Sequence, residues 1–220
     1  KQDIVITTHV NPDGDAIGSS LAIYHLLNKI DHTVHLITPN DYASSLHWLP
    51  GNNNVIIYDE QIENANKITK DADIVLMLDF NNINRIGDFA DTVANSSAVK
   101  VLIDHHEDPS NNLADIMISK PQYSSTAELL YEVIDNMSMT QYLDKDIAEC
   151  LYVGIMTDTG SFKYPSTTER THEIVAKLIK YGANHSKIHD LIYDNSSEDR
   201  IKLLGYCLNN KLLGKLTKMF

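Results

Sequence analysis

Disulfide chemistry has almost nothing to work with in this chain. Its two cysteines, Cys150 and Cys207, both fall in stretches of helical patterning, which excludes a disulfide framework and makes buried thiols in a reducing compartment the expectation. Long apolar runs are missing too. No window approaches the roughly 18 uninterrupted apolar residues of a membrane span, and the N-terminus lacks the charged-then-apolar order of a signal peptide. A soluble, cytoplasmic protein is therefore expected. Positive charge is scarce, with 18 Lys and Arg against 30 Asp and Glu and a formal net charge of −12. That balance argues against a surface that coats duplex nucleic acid, which needs many basic phosphate contacts. A small anionic substrate stays compatible, because bound cations can invert the local field. Repeats, low-complexity tracts and long Gly/Ser linkers are absent as well.

What the sequence does contain is an ordinary globular mixture, 43% hydrophobic and 22% charged over 220 residues, enough for a sizeable core. Short apolar runs alternate with helical stretches through the first half: Ile4–Ile6, a helix over Ala16–Lys29, Val34–Ile37, Val55–Ile57, a helix over Gln61–Lys70, Ile74–Leu78 and Val101–Ile103. This order predicts an α/β fold with a parallel five-stranded sheet and helices on both faces. The second half reads as mainly helical, in segments near Thr126–Met137, Asp144–Met156, Thr168–Tyr181 and Ser197–Leu213. Ser125 with Glu128, and Ser166 with Glu169, have the spacing of capping boxes. The last segment carries Ile201, Leu204, Leu208 and Leu212 as an apolar stripe that wants a partner, either on this domain or leading to a further one.

Acids and histidines gather where the apolar runs stop. His9, Asp13 and Asp15 follow Ile4–Ile6; Asp79 follows Ile74–Leu78; Asp104, His105 and His106 follow Val101–Ile103. In open α/β sheets the carboxyl ends of the strands border the binding crevice, so residues just past different strands meet in space. Any one of them alone reads as a turn former or cap; Asp13 and Asp15 in particular precede a helix. Together they crowd carboxylates that are hard to ionise unless cations sit among them. Carboxylates with imidazoles suit Mn²⁺, Mg²⁺ or a related octahedral ion, and the number of acids suggests two ions. Two such cations can orient a water and hold the oxygens of a phosphoryl group.

With Thr8–Ser19 (THVNPDGDAIGS), Leu78-Asp79, Asp104-His105-His106 and Gly154–Gly160 (GIMTDTG) in that order, the chain resembles the DHH phosphoesterases, a superfamily of RecJ-like exonucleases, family II inorganic pyrophosphatases and oligoribonucleases. The resemblance implies that His9, Asp13 and Asp79 hold one divalent cation. Asp15, Asp79, His105 and Asp158 would hold the other, with Asp79 bridging and Mn²⁺ favoured over Mg²⁺ or Co²⁺. It assigns His106 to the substrate phosphate. Asp104 then reads either as a carboxylate that orients one of the imidazoles or as a plain strand-end cap. Arg85 resembles a phosphate-gripping arginine of the oligoribonuclease-like branch, with a surface arginine as the alternative. Gly14 and Gly18 are expected to let the loop pass close to the ions. Ser124-Ser125-Thr126 opens a helix where amides could meet an anion, although the capping box already explains Ser125.

The run Thr157–Phe162 with Pro165–Thr168 after it looks like the branch of nanoRNases and 3′-phosphoadenosine 5′-phosphate (PAP) phosphatases. The resemblance therefore implies a hydrolase of short oligoribonucleotides or phosphorylated nucleotides, working without a membrane; homodimer formation is left open. Alternatives are a pyrophosphatase or exopolyphosphatase-like enzyme using the same ions, and a non-catalytic nucleotide-binding module. The glycine-rich basic motif of that branch's smaller C-terminal domain does not occur here, and Lys1 stands where an initiator Met is expected. Residues 1–195 are accordingly read as the catalytic domain. Residues 196–220 are read as a helix or linker leading to a substrate-binding domain absent from this chain.

Overall fold

The computed structural model describes residues 1–110, 112–195 and 198–211. Its centre is a six-stranded, wholly parallel sheet: β1 (Asp3–Thr7), β2 (Thr33–Thr38), β3 (Ile56–Ile57), β4 (Ile74–Leu78), β5 (Val99–Asp104) and β6 (Ile116–Ser119), in the order β3-β2-β1-β4-β5-β6. The expected parallel α/β architecture is present, with one strand more than the five anticipated. The sixth, β6, is short and half exposed at the sheet edge, with Ile116 and Met117 both exposed. Four residues without a clear period leave little for sequence patterning to register.

Side chains of the inner strands alternate between two apolar layers. Val5, Val75, Met77 and Leu102 pack with Phe80, Ile86, Phe89 and Val93 on one side, where α2 (Ile62–Asp71) and α3 (Ala90–Asn95) lie. Ile4, Ile74, Leu76, Val101 and Ile103 face α1 (Gly14–Lys29) and α4 (Thr126–Asn136) through Ile23, Leu26, Leu130 and Ile134. Each fully buried aliphatic side chain here contributes roughly 1.5–3 kcal/mol relative to an exposed one.

Helices α4, α5 (Lys145–Asp158) and α6 (Glu169–Tyr181) make the second half mainly helical as expected, followed by α7 (His185–His189), a π-helical turn over Asp190–Asp194 and α8 (Glu198–Asn210). The expected capping boxes are redrawn. Ser125 does cap α4 by accepting from the Glu128 amide, but the Glu128 carboxylate turns to the amide and hydroxyl of Ser124. The box of α6 is formed by Thr168 and Thr171, two residues past the Ser166–Glu169 pair. Cys150 is buried and Cys207 exposed, against the expectation of two buried thiols. Ile201, Leu204 and Leu208 of α8 are exposed as well; Ser197, Leu212 and Leu213 lie outside the described residues. Compact packing divides the chain into Lys1–His185 and Ser186–Phe220.

Three glycines set how closely the helices approach. A Cβ on Gly18 of α1 would stand 2.5 Å from the Cys150 carbonyl of α5. One on Gly154 of α5 would stand 2.5 Å from the Ala127 Cβ of α4 and 2.8 Å from an Asp15 carboxylate oxygen. Both distances are far inside van der Waals contact, so only glycine permits α1, α4 and α5 to meet here. Gly14 has the same role, its absent Cβ lying 2.4 Å from Thr157 Oγ1. Gly14 and Gly18 are thus required for close packing against α5.

Candidate metal centre

Strand β1 lies between β2 and β4 and is followed by α1, whereas β4 leads onward to β5 on the other side. The chain therefore reverses its direction of progress at the β1/β4 boundary, and the crevice above that boundary is where such sheets bind ligands. His9, Asp13 and Asp15 lie past the end of β1, Asp79 immediately past β4, and Asp104 ends β5 with His105 and His106 next. Asp79 adopts a left-handed backbone with φ of 68°, a costly conformation for a residue with a Cβ.

Three groups of donors converge, each with ligand atoms within 4.8 Å of one another: His9, Asp13 and Asp79; Asp15, His105 and Asp158; and Asp79, His105 and His106. Asp79 divides its oxygens between the first two. Its Oδ2 lies 3.5 Å from His9 Nε2 and its Oδ1 lies 3.7 Å from His105 Nε2. His105 Nε2 is in turn 3.3 Å from Asp158 Oδ2 and 3.9 Å from Asp15 Oδ2. Backbone carbonyls fix the other ring nitrogens: His9 Nδ1 is 2.9 Å from the Val10 oxygen, and His105 Nδ1 is 3.3 Å from the Tyr123 oxygen. Asp158 is the last residue of α5, two residues beyond the expected helix end, so its carboxylate sits at the negative pole of the helix.

Asp13 is exposed and caps α1, its Oδ1 accepting from the Asp15 and Ala16 amides at 3.0 and 3.1 Å. Asp15, by contrast, is 1% exposed and receives the Thr126 and Ala127 amides at the start of α4, at 2.6 and 2.9 Å. Those amides are therefore engaged with a carboxylate of the chain itself, which closes the reading of Ser124–Thr126 as an anion site. Burial, then the charges of Asp79 and Asp158, push the Asp15 carboxyl well above its ordinary range. Burial likewise carries Asp158 up to about 6. For Asp79 burial works upward, but the hydrogen bond from His9 and the imidazoles of His105 and His106 prevail and hold it below its usual value. His9 is raised: burial opposes charging, and Asp79 and the Val10 carbonyl outweigh it.

His106 faces a different set. Its Nδ1 is 2.7 Å from Asp104 Oδ1 and its Nε2 is 3.1 Å from an Arg85 guanidinium nitrogen. The Asp104 hydrogen bond is the largest influence on the ring and raises its pKa. Asp104 is wholly buried and its Oδ1 meets His106 Nδ1, the contact that an imidazole-orienting carboxylate requires. Arg85 is tied in through its carbonyl, which accepts the Val10 amide at 2.7 Å. Sequence reasoning passed over Thr126, whose hydroxyl donates to Asp79 Oδ1 at 2.8 Å. The one available signal was its place in the polar triplet that opens α4.

The donor set fits divalent cations on structural grounds. Two buried carboxylates, Asp15 and Asp79, stand among imidazoles with no Lys or Arg paired to either of them among the described residues. Positive charge placed there would relieve the burial and repulsion that drive Asp15 and Asp158 toward protonation. Oxygen and imidazole donors without thiolate suit ions such as Mn²⁺, Mg²⁺ or Co²⁺.

The arrangement of motifs over this sheet defines the class. Residues 3–155 match the DHH family, N-terminal domain, and the chain belongs to that family of phosphoesterases. It is 29% identical over 218 residues to the bifunctional oligoribonuclease and PAP phosphatase NrnA of Bacillus subtilis, covering 96% of this chain and 63% of that protein. It is 28% identical over 187 residues to the Thermus thermophilus protein of the same description, covering 85% of this chain and 52% of that one. The crystal structure of an exopolyphosphatase-related protein from Bacteroides fragilis is 42% identical and superposes with a TM-score of 0.92, covering 96% of this chain and 62% of that one. The chain thus spans little more than half to two thirds of the length of these relatives. Among the described residues no helix is long and apolar enough to cross a membrane.

Proposed function

We propose that the chain is the catalytic part of a divalent-cation-dependent phosphoesterase that hydrolyses short oligoribonucleotides, PAP, or both. The observation that carries the reading is the shared carboxylate of Asp79, with one oxygen toward His9 and the other toward His105. His9, Asp13 and Asp79 would hold one cation, and Asp15, Asp79, His105 and Asp158 the second, Mn²⁺ first among the ions expected. When bound, such a pair supplies an activated water and charge neutralisation at phosphoryl oxygens. The chain's own groups supply the rest. Asp104 keeps a proton on His106 Nδ1 and fixes the ring plane, so that Nε2 and the Arg85 guanidinium face the same space. With Nδ1 protonated, Nε2 accepts from the Arg85 guanidinium at 3.1 Å. A phosphoryl oxygen would displace that hydrogen bond and take the guanidinium as donor, and the ring becomes a second donor once Nε2 is protonated. The names of the Bacillus and Thermus relatives support the substrate class. In this reading residues 1–195 form the catalytic domain and 196–220 lead to a substrate-binding domain.

The test is release of phosphate from PAP and of mononucleotides from short RNA, assayed with manganese. Turnover of at least one is expected; no turnover of either with any divalent ion overturns the proposal. Phosphoanhydride hydrolysis is a second reading, favoured by the description of the Bacteroides relative as exopolyphosphatase-related. Pyrophosphate and polyphosphate in the same assay separate the two.

A further inference from the structure

One residue outside the proposed ligand set touches two of its buried carboxylates, Asp79 and Asp15. Thr126, wholly buried at the start of α4, donates its hydroxyl to Asp79 Oδ1 at 2.8 Å and its amide to Asp15 Oδ2 at 2.6 Å. Asp79 follows β4 and Asp15 lies in the first turn of α1, on opposite sides of the β1/β4 boundary. The Asp79 oxygen it engages is the one nearest His105, at 3.7 Å; the other oxygen is left to His9 at 3.5 Å. A carboxylate free to rotate about its terminal torsion has a broad, roughly two-fold preference. The donated hydroxyl removes that freedom.

Thr126 is itself held from behind. Ser125 caps α4, and the buried Glu128 binds Ser124 through both amide and hydroxyl, so the turn that delivers Thr126 is braced by α4's own first turn. The same turn carries the Tyr123 carbonyl that meets His105 Nδ1. Gly154 lets α5 lie against Ala127 and Asp15, the residues next to and bonded to Thr126.

We propose that Thr126 is a positioning residue for the cation pair: its hydroxyl fixes how Asp79 is shared between the two sites, while its amide fixes Asp15. This rests on the cation-binding reading above. Partners that orient metal ligands in this way typically govern about 10–100-fold of metal affinity. The isosteric Thr126→Val keeps the amide, the helix and the volume and deletes only the hydroxyl. Thr126→Ser restores the donor.

Manganese titration calorimetry on the chain, with cation-free melting curves alongside, tests this. Thr126→Val is expected to keep its fold and to weaken at least one of two manganese-binding events by about 10–100-fold. Thr126→Ser is expected to bind within about threefold of the unaltered chain. Val binding both ions as tightly as the unaltered chain overturns the inference, as does a Ser variant as impaired as Val. Should the Val variant fail to fold, Thr126→Ala decides by the same criterion. No manganese binding by the unaltered chain overturns the proposed function and this inference together, whereas intact binding by Val overturns this inference alone.

Discussion

The two donor clusters of the crevice are built by different means. His9 and Asp79 follow the ends of two adjacent parallel strands, and the exposed Asp13 caps α1. Asp15, His105 and Asp158 come from the first turn of α1, the loop after β5 and the last residue of α5. The first cluster needs little more than two strand ends and the start of α1. The second needs the helical half as well, since its geometry depends on α5 crossing α1 at Gly18 and on the α4 amides that hold Asp15. Strand ends can therefore gather ligands locally, while the second set exists only once tertiary packing is complete.

Asp79 belongs to the first cluster and reaches the second through His105, 3.7 Å from its Oδ1, so its loss is expected to have the largest effect. Asp79→Ala should abolish paired cation binding and lower turnover by about 10³-fold or more, measured by metal content and phosphate release. His106→Ala touches neither cluster's cation set as proposed. It is expected to leave metal content unchanged and to slow turnover by about 10²–10⁴-fold. Gly18→Ala attacks the comparison itself. The added methyl forces α1 from α5, costing roughly 1–3 kcal/mol by chemical denaturation. It is expected to weaken the cation at Asp15, His105 and Asp158 more than the one at His9, Asp13 and Asp79.

The smallest expected effect is on stability against pH in cation-free protein. Asp15 and Asp158 hold protons more readily folded than unfolded, so the stability they contribute is full below pH 3.8 and is lost as pH rises, for Asp158 through about 6. His9 and His106, raised above 6.5, lose their contribution at higher pH in the same direction. Asp79, held low, works the opposite way at the acid end. Melting temperature should therefore fall between pH 4 and 7 without cations, and manganese should flatten or reverse that slope.

Much of this was legible in the sequence, for a physical reason. Strands buried on both faces leave uninterrupted apolar runs, and the polar residues that stop them lie at the crevice, so the sequence alone groups His9, Asp13, Asp15, Asp79 and His105. Asp158 could not be found that way. It sits at a helix end among other acids, and only the family resemblance singled it out. Thr126 left a fainter trace still, because a buried hydroxyl on a carboxylate has no spacing rule of its own. The edge strand β6 escaped because its outer residues face solvent. Glycines 14, 18 and 154 were visible as residues, but their purpose depends on which helix lies opposite.

The central claim is that two cations share Asp79 in this crevice. Manganese titration of the chain tests it most directly, with Asp158→Asn as the comparison. Two ions per unaltered chain are expected, and Asp158→Asn should lose or markedly weaken one while keeping the other. A single ion in the unaltered chain, or two bound with undiminished affinity after Asp158→Asn, would contradict the assignment.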